Sequence, residues 1–168
     1  SCVIVNRCLM SKKRELIEEV KKKKKKKNGL PIIIASQRGK TALKIAEEIE
    51  SASNVIAISE FEYGKTNKKA MKKVNVKTFE NANLPIQDLR EMRETLMIFD
   101  SGIKAALEVA SIAYQNELVN GEYIVIAGSE KGLDTALLIN TLHPNSEAIS
   151  DPLKKIKVEK ILASPLIS

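Results

Sequence analysis

Ser36-Gln37-Arg38-Gly39-Lys40-Thr41 places two hydroxyls, two cations and a glycine between an apolar run, Ile32–Ala35, and the helical spacing of Ala42, Leu43, Ile45, Ala46 and Ile49. A buried strand, tight loop and helix start of this kind offers hydroxyls and free backbone N–H groups at the positive end of a helix dipole. That chemistry holds an anion, and a phosphate above all. Ser36 and Thr41 bracket the loop, so their hydroxyls are expected to converge on one anion, with the N–H groups of Gly39 to Thr41 aimed at it. Gly39 is expected to let the backbone approach the ligand, where any Cβ would crowd it or require an unfavourable φ. Lys40 adds charge on a flexible stem. A plainer reading stands beside this one: the loop merely caps its helix, Ser36 or Thr41 bonding free N–H groups. A second stretch of similar make-up, Gly128-Ser129-Glu130-Lys131-Gly132-Leu133-Asp134-Thr135, follows the apolar run Tyr123–Ala127. At the C-terminal end of a parallel strand it would share the first loop's sheet edge. Gly128, Ser129, Lys131, Gly132, Asp134 and Thr135 therefore join the candidate ligand residues.

Other motifs are weaker. Gly39-Lys40-Thr41 and Gly64-Lys65-Thr66 each match half of a P-loop. The missing half is a glycine five residues earlier, and Ile34 and Ser59 stand there, so ATP or GTP hydrolysis is not supported. Cys2 and Cys8 lack metal-ligand spacing, and His143 is the single imidazole, so no metal site is expected and His143 reads as structural. Glu108, among small apolar residues, is either a functional carboxylate or a boundary residue reaching to water. Asp134 either caps its own loop or positions a ligand hydroxyl. Glu108, Asp134 and His143 are the acid–base candidates of an alternative reading, an enzyme acting on a small phosphorylated metabolite. No nucleophile–base pair accompanies them.

The elements that must carry these loops are aliphatic. With 43% hydrophobic but only 4% aromatic residues, the core is built from Ile, Val, Leu and Ala. A length of 168 residues suits a single domain, 1–168, in which 1–29 forms an N-terminal arm and a Lys-rich helix packed on the rest. Few cysteines, no apolar stretch of membrane-spanning length and no secretory signal in SCVIVNRCLM point to a cytoplasmic protein without a membrane partner. The net charge of +7 equals the run Lys21–Lys27, without which basic and acidic residues balance; the chain has one basic knot and no general basic surface. Seven lysines go right round a helix, so they read as a solvated, partly frayed last turn before Asn28-Gly29. A nucleic-acid or anionic-partner contact through Lys21–Lys27 is the alternative, and the lack of nearby aromatics disfavours a single-stranded partner there.

In chain order, Val3–Val5 reads as a short edge strand or arm, and Ser11 as the N-cap of a helix with Leu16, Ile17 and Val20 on its apolar stripe. Strands follow at Ile32–Ala35, Val55–Ile58 and Val74–Phe79, the last two joined by a basic helix, Asn67–Lys73. Ile86, Leu89, Met92, Leu96 and Met97 keep helical spacing. Asp100-Ser101-Gly102 breaks that helix, and Ile103–Leu118 forms another. Tyr123–Ala127, Ala136–Leu142 and an edge strand, Ile156–Ala163, complete the set. Strands alternating with helices predict a parallel sheet covered on both faces.

Taken together, ASQRGKTA (35–42), VIAIS (55–59), IKAALEVASIAY (103–114) and GSEKGLDTALLI (128–139), followed by His143 and Asn145, resemble small stand-alone archaeal proteins with a pyruvate kinase C-terminal-like fold. The resemblance covers roughly residues 30–165. It implies a three-layer α/β/α domain with a mixed main sheet of five strands, order 3-2-1-4-5, the fifth antiparallel. In pyruvate kinases the matching strand–loop–helix binds a phosphate of a sugar-bisphosphate effector, which assigns that role here to Ser36, Gly39, Lys40 and Thr41, with Gln37 and Arg38 in the same loop. The loop 128–135 would close over the same ligand. Stand-alone relatives imply a phosphorylated ligand such as flavin mononucleotide (FMN). Glu60–Gly64 and Asn81–Pro85 stand where such relatives carry Gly/His-rich segments. Pyruvate kinase activity itself is not implied, since its catalytic barrel needs about 250 residues. A homo-oligomer is left open.

Overall fold

Runs of four apolar residues between turn signals are too short for helices and too apolar for surface strands. In the computed structural model, which describes residues 2–26, 29–49, 54–129, 132–144, 146–151 and 155–166 (backbone alone for 2–12, 26, 129 and 146), they form the centre of a sheet. The element order is α1 (Cys2–Lys26), β1 (Ile32–Ala35), α2 (Lys40–Glu48), β2 (Val55–Ile58), α3 (Lys65–Lys73), β3 (Val76–Phe79), α4 (Arg90–Met97), α5 (Ser101–Gln115), β4 (Glu122–Ser129), β5 (Gly132–Asn140) and β6 (Lys157–Ala163). They build one sheet of six strands in the order β3-β2-β1-β4-β5-β6. β1 pairs parallel with β2 (Ile32 opposite Val55) and with β4 (Ile32 opposite Ile124), and β2 pairs parallel with β3. β5 runs antiparallel to β4 and β6 antiparallel to β5. The expected α/β class, strand order and antiparallel fifth strand are present. The sheet has six strands rather than five, because the edge strand read at 156–163 joins it directly.

Side-chain alternation along the strands makes two cores. Ile32, Ile34, Val55, Ala57, Ile124 and Ile126 meet a layer that includes Leu16, Ile17 and Val20 of α1, Ala42 and Ile45 of α2 and Met71 of α3. Ile33, Ile56, Ile58, Val125, Leu137 and Ile139 meet Ala106, Val109, Ala110 and Ala113 of α5 on the opposite face. Each fully buried Ile contributes about 1.5–3 kcal/mol, and Ile32, Ile33, Ile34, Ile124, Val125 and Ile126 of these central strands are fully buried.

Four local expectations are corrected. The N-terminus is neither strand nor arm, and Ser11 is not an N-cap: α1 runs unbroken from Cys2, since lengthening a formed helix adds one backbone bond per residue whereas a three-residue edge strand adds few. The lysine run is not simply solvated. Leu16, Val20 and Lys24 recur every four residues on one face, so helix geometry turns Lys24 inward to 7% exposure, and burial lowers its pKa. Lys21 and Lys22 meet Glu18 and Glu19 at 3.9 and 3.6 Å. The described helix reaches Lys26, and the Gly29 N–H (φ +83°) bonds the Lys24 carbonyl at 3.0 Å; Lys27 and Asn28 lie outside the described residues, as do the exit residues 50–53, Asn145 and Pro152.

The helix expected over 86–97 is only α4, Arg90–Met97, which buries none of its residues. Ile86 is fully buried but lies in the turn before it, while Leu89 and Met97 are exposed. Finally, the described residues of 128–135 are not an open loop: β4 continues through Ser129 and β5 begins at Gly132, not Ala136, and the two strands pair antiparallel with a register shift between Ala127 and Gly128, while Glu130 and Lys131 lie outside the described residues. A Cβ on Gly128 would collide with the Gly132 carbonyl, so glycine is what permits this close pairing.

Candidate functional site

The strand order reverses direction of growth between β1 and β4, and open α/β sheets bind ligands at the carboxyl ends of the strands flanking such a point. A cleft of about 880 Å³ opens there. One wall is the β1–α2 loop with Ser36, Gln37, Arg38, Lys40 and Thr41; the other includes Lys104, Ala105, Glu108 and Val109 of α5. Ile58, Ser59 and Glu60 at the end of β2, Leu84 and Gln87 of the segment before α4, and Gly128, Gly132 and Leu133 of the β4–β5 pair complete it. The structure thus brings the first stretch apart from Gly39, and Gly128 and Gly132 of the second, to one cleft.

The first loop is held by side chains far away in sequence. The buried Tyr63 hydroxyl donates to the Ser36 carbonyl at 2.7 Å, Ser59 Oγ donates to the Gln37 carbonyl at 3.1 Å, and Asn67 Nδ2 donates to the Arg38 carbonyl at 2.8 Å. Burial, helped by the Glu80 carboxylate, pushes the Tyr63 phenol well above its ordinary range, so it stays a neutral donor. Glu80 accepts from the Tyr63 N–H at 3.0 Å and pairs with Lys68 at 2.6 Å. The hydrogen bond from Lys68 lowers the Glu80 pKa against the opposing effect of burial, and the same bond raises that of Lys68. Three consecutive carbonyls, 36 to 38, are therefore turned toward the β2–α3 side of the loop by Tyr63, Ser59 and Asn67.

Two expectations about the loop change. Ser36 Oγ accepts from the Gly39 N–H at 3.1 Å, and Ser36 is 6% exposed. That N–H is therefore occupied by the loop itself and is not aimed at an anion. Gly39 has φ +89°, as expected of a glycine-only position, but a Cβ there would meet Met71 Cε at 2.7 Å and Sδ at 3.1 Å. Crowding would fall on α3, not on a ligand. Beyond Gly39, no side chain caps α2, and the first N–H groups of a helix have no intrahelical partner. Lys40 is exposed and Thr41 half-buried at this end.

Glu108 does not reach to water. It is 3% exposed, and its Oε2 accepts from the N–H groups of Ile86 and Gln87 at 2.6 and 2.9 Å while Oε1 meets Lys104 Nζ at 3.2 Å. Lys104 also donates to Gln87 Oε1 at 2.6 Å. This carboxylate serves two backbone N–H groups of the turn that precedes α4. It also fixes the 84–87 wall of the cleft. Asp134 does not line the cleft; its Oδ1 accepts from Thr135 Oγ1 at 2.9 Å, and Thr135 is fully buried against Gly102 at the start of α5. His143 lies past the opposite end of β5, its Nε2 at 3.1 Å from the Lys155 carbonyl. The three acid–base candidates thus occupy separate places. Lys131 and the Ser129 side chain lie outside the described residues. Ser59, Leu84, Gln87 and Lys104 carry no motif; only Glu108, an acid in an apolar helix stripe, left a signal in the sequence. No group of His, Cys, Asp and Glu suited to a metal ion occurs among the described residues, and no helix among them is long and apolar enough to cross a membrane.

Compared with protein-family models the chain matches none, and no curated protein matches it either.

Proposed function

We propose that this chain is a binding domain for a small phosphorylated ligand, a sugar phosphate or a mononucleotide such as FMN, seated in the cleft between β1 and β4. The observation that carries the reading is the uncapped N-terminus of α2 opening onto that cleft beside Arg38, Lys40 and Thr41. Helix-end N–H groups and the dipole suit a phosphate there, Thr41 adds a hydroxyl, and the two cations add charge. The braced carbonyls of Ser36 to Arg38 support it too, because a loop already held needs little ordering on binding. The rest of the ligand would lie over Leu84, Ala105, Val109 and Leu133, in a volume within the usual range for small-molecule sites.

Isothermal titration of the protein with inorganic phosphate, ribose 5-phosphate, fructose bisphosphate and FMN tests this, together with native mass spectrometry of what co-purifies. Binding of at least one phosphorylated compound, and not of its dephosphorylated form, is the expected result. A yellow preparation identifies the flavin. Equal binding of both forms, or of neither, removes the reading.

A further inference from the structure

Besides the basic knot of the sequence, α3 presents a basic surface of its own. Its nine residues, Lys65–Lys73, contain five lysines and no acid. At about 100° per residue, Lys65, Lys69, Lys72 and Lys73 fall within roughly 100° of arc, and all four are exposed. Met71 holds the opposite side of the helix in the core. The nearby acids Glu62 and Glu80 act on Lys68, which pairs with Glu80 at 2.6 Å. The other four make no ion pair among the described residues. In the run 21–27, Lys21 and Lys22 are paired within α1 and Lys24 is buried, which leaves Lys25 exposed and Lys23 half-buried; the side chains of Lys26 and Lys27 lie outside the described residues.

We infer that the outward face of α3 docks the phosphodiester backbone of a single-stranded nucleic acid. Three features favour this partner. Lysine ammoniums are flexible point charges that follow a row of phosphates without needing a fixed geometry. Protein interfaces are depleted in lysine and need an apolar centre, and this face has none. Membrane-surface helices need an apolar side to insert, but the apolar side of α3 is already used by the core. The turn that leads into α3 also exposes Phe61, 54% accessible, with its backbone fixed by the bond from the Asn81 N–H to the Phe61 carbonyl at 3.3 Å. Phe61 lies between the exposed acids Glu60 and Glu62, four residues before Lys65, and an exposed aromatic in the turn that precedes a basic track can stack a base.

The test is fluorescence anisotropy of a labelled single-stranded oligonucleotide of about 20 residues, titrated with the full chain from about 50 to 200 mM salt. Wild type should bind with affinity falling steeply with salt. Replacing Lys65, Lys69, Lys72 and Lys73 by Gln should weaken binding at least tenfold at the lowest salt and reduce the log–log salt slope by about 2–3. Lys69→Gln and Lys72→Gln alone should each reduce the slope by about 0.7, so the outcome does not depend on the quadruple variant folding. A chain with Lys21–Lys27 replaced by Gln should keep most of its affinity. No binding by wild type at the lowest salt, undiminished binding by the α3 variants, or displacement by polyglutamate as readily as by unlabelled oligonucleotide of equal charge would overturn the inference.

Discussion

Gly39-Lys40-Thr41 and Gly64-Lys65-Thr66 are the same three residues, and each opens a nine-residue helix with no capping side chain. Their surroundings differ in every other respect. Gly39 is buried and left-handed, packed on Met71, its N–H taken by Ser36. Gly64 is exposed and extended (φ −62°, ψ 148°), with nothing near where a Cβ would go. The first helix start opens onto a walled cleft; the second lines no part of that cleft. A tripeptide encodes a helix start, then, and the sheet position decides whether that start becomes a site.

The sharpest way to break the contrast is to remove the far wall that only the first tripeptide faces. Glu108→Ala leaves two amides and the Lys104 ammonium without their buried partner, and should cost about 3–5 kcal/mol. Chemical denaturation measures it, and Glu108→Gln should recover part of the loss. A change under 1 kcal/mol would show that the 84–87 segment is not held as described.

The glycines come next. Gly39→Val combines left-handed strain with overlap on Met71 and should destabilise by about 2–4 kcal/mol. Gly64→Val should stay within about 0.5 kcal/mol. Equal unfolding midpoints for the two variants would erase the distinction. The threonines sharpen it on the ligand side: Thr41→Ala should weaken binding of whichever phosphate compound titrates by about 1–3 kcal/mol, and Thr66→Ala should leave it unchanged. Lys40→Ala should cost less than Thr41→Ala, and less still as salt rises.

The smallest effect concerns the bracing. The Glu80 carboxyl is held below its ordinary value of 4.5. Its contribution is therefore complete above that pH and is lost as pH falls through the lower folded value. Glu80→Gln should reduce stability at pH 7 by about 1 kcal/mol and flatten the acid side of the stability profile below pH 4.5. Unchanged acid-side curvature would mean that Glu80 does not couple the Tyr63 turn to the loop.

Much of the fold was legible locally. Ile32–Ala35 and Val55–Ile58 match β1 and β2 residue for residue, because a short apolar run between turn residues has few alternatives. Misreadings arose where a distant partner outvoted local pattern. Ile86 kept helical spacing with Leu89 and Met92, but it lies in a turn before α4, where its N–H bonds Glu108, 22 residues on. The paired strand ends within 128–135 resembled a ligand loop because glycines and hydroxyls suit both, and pairing across Gly128 and Gly132 is invisible in composition. Lys24 was hidden in a homopolymer, where only its register with Leu16 and Val20 marks it as inward.

By itself the sequence determined the α/β class, the central strands, a helix opening after the loop, within one residue of the observed start at Lys40, and the need for glycine at position 39, since each depends on periodicity or on one residue's own conformational range. Tertiary structure alone decided that Ser36 Oγ serves its own loop, that Tyr63, Ser59 and Asn67 turn that loop's carbonyls away, and that Glu108 is a buried anchor. Those outcomes depend on which groups the sheet brings within about 3 Å of one another, and residues such as Ser36 and Tyr63, 27 positions apart, meet only once β1 and β2 have paired.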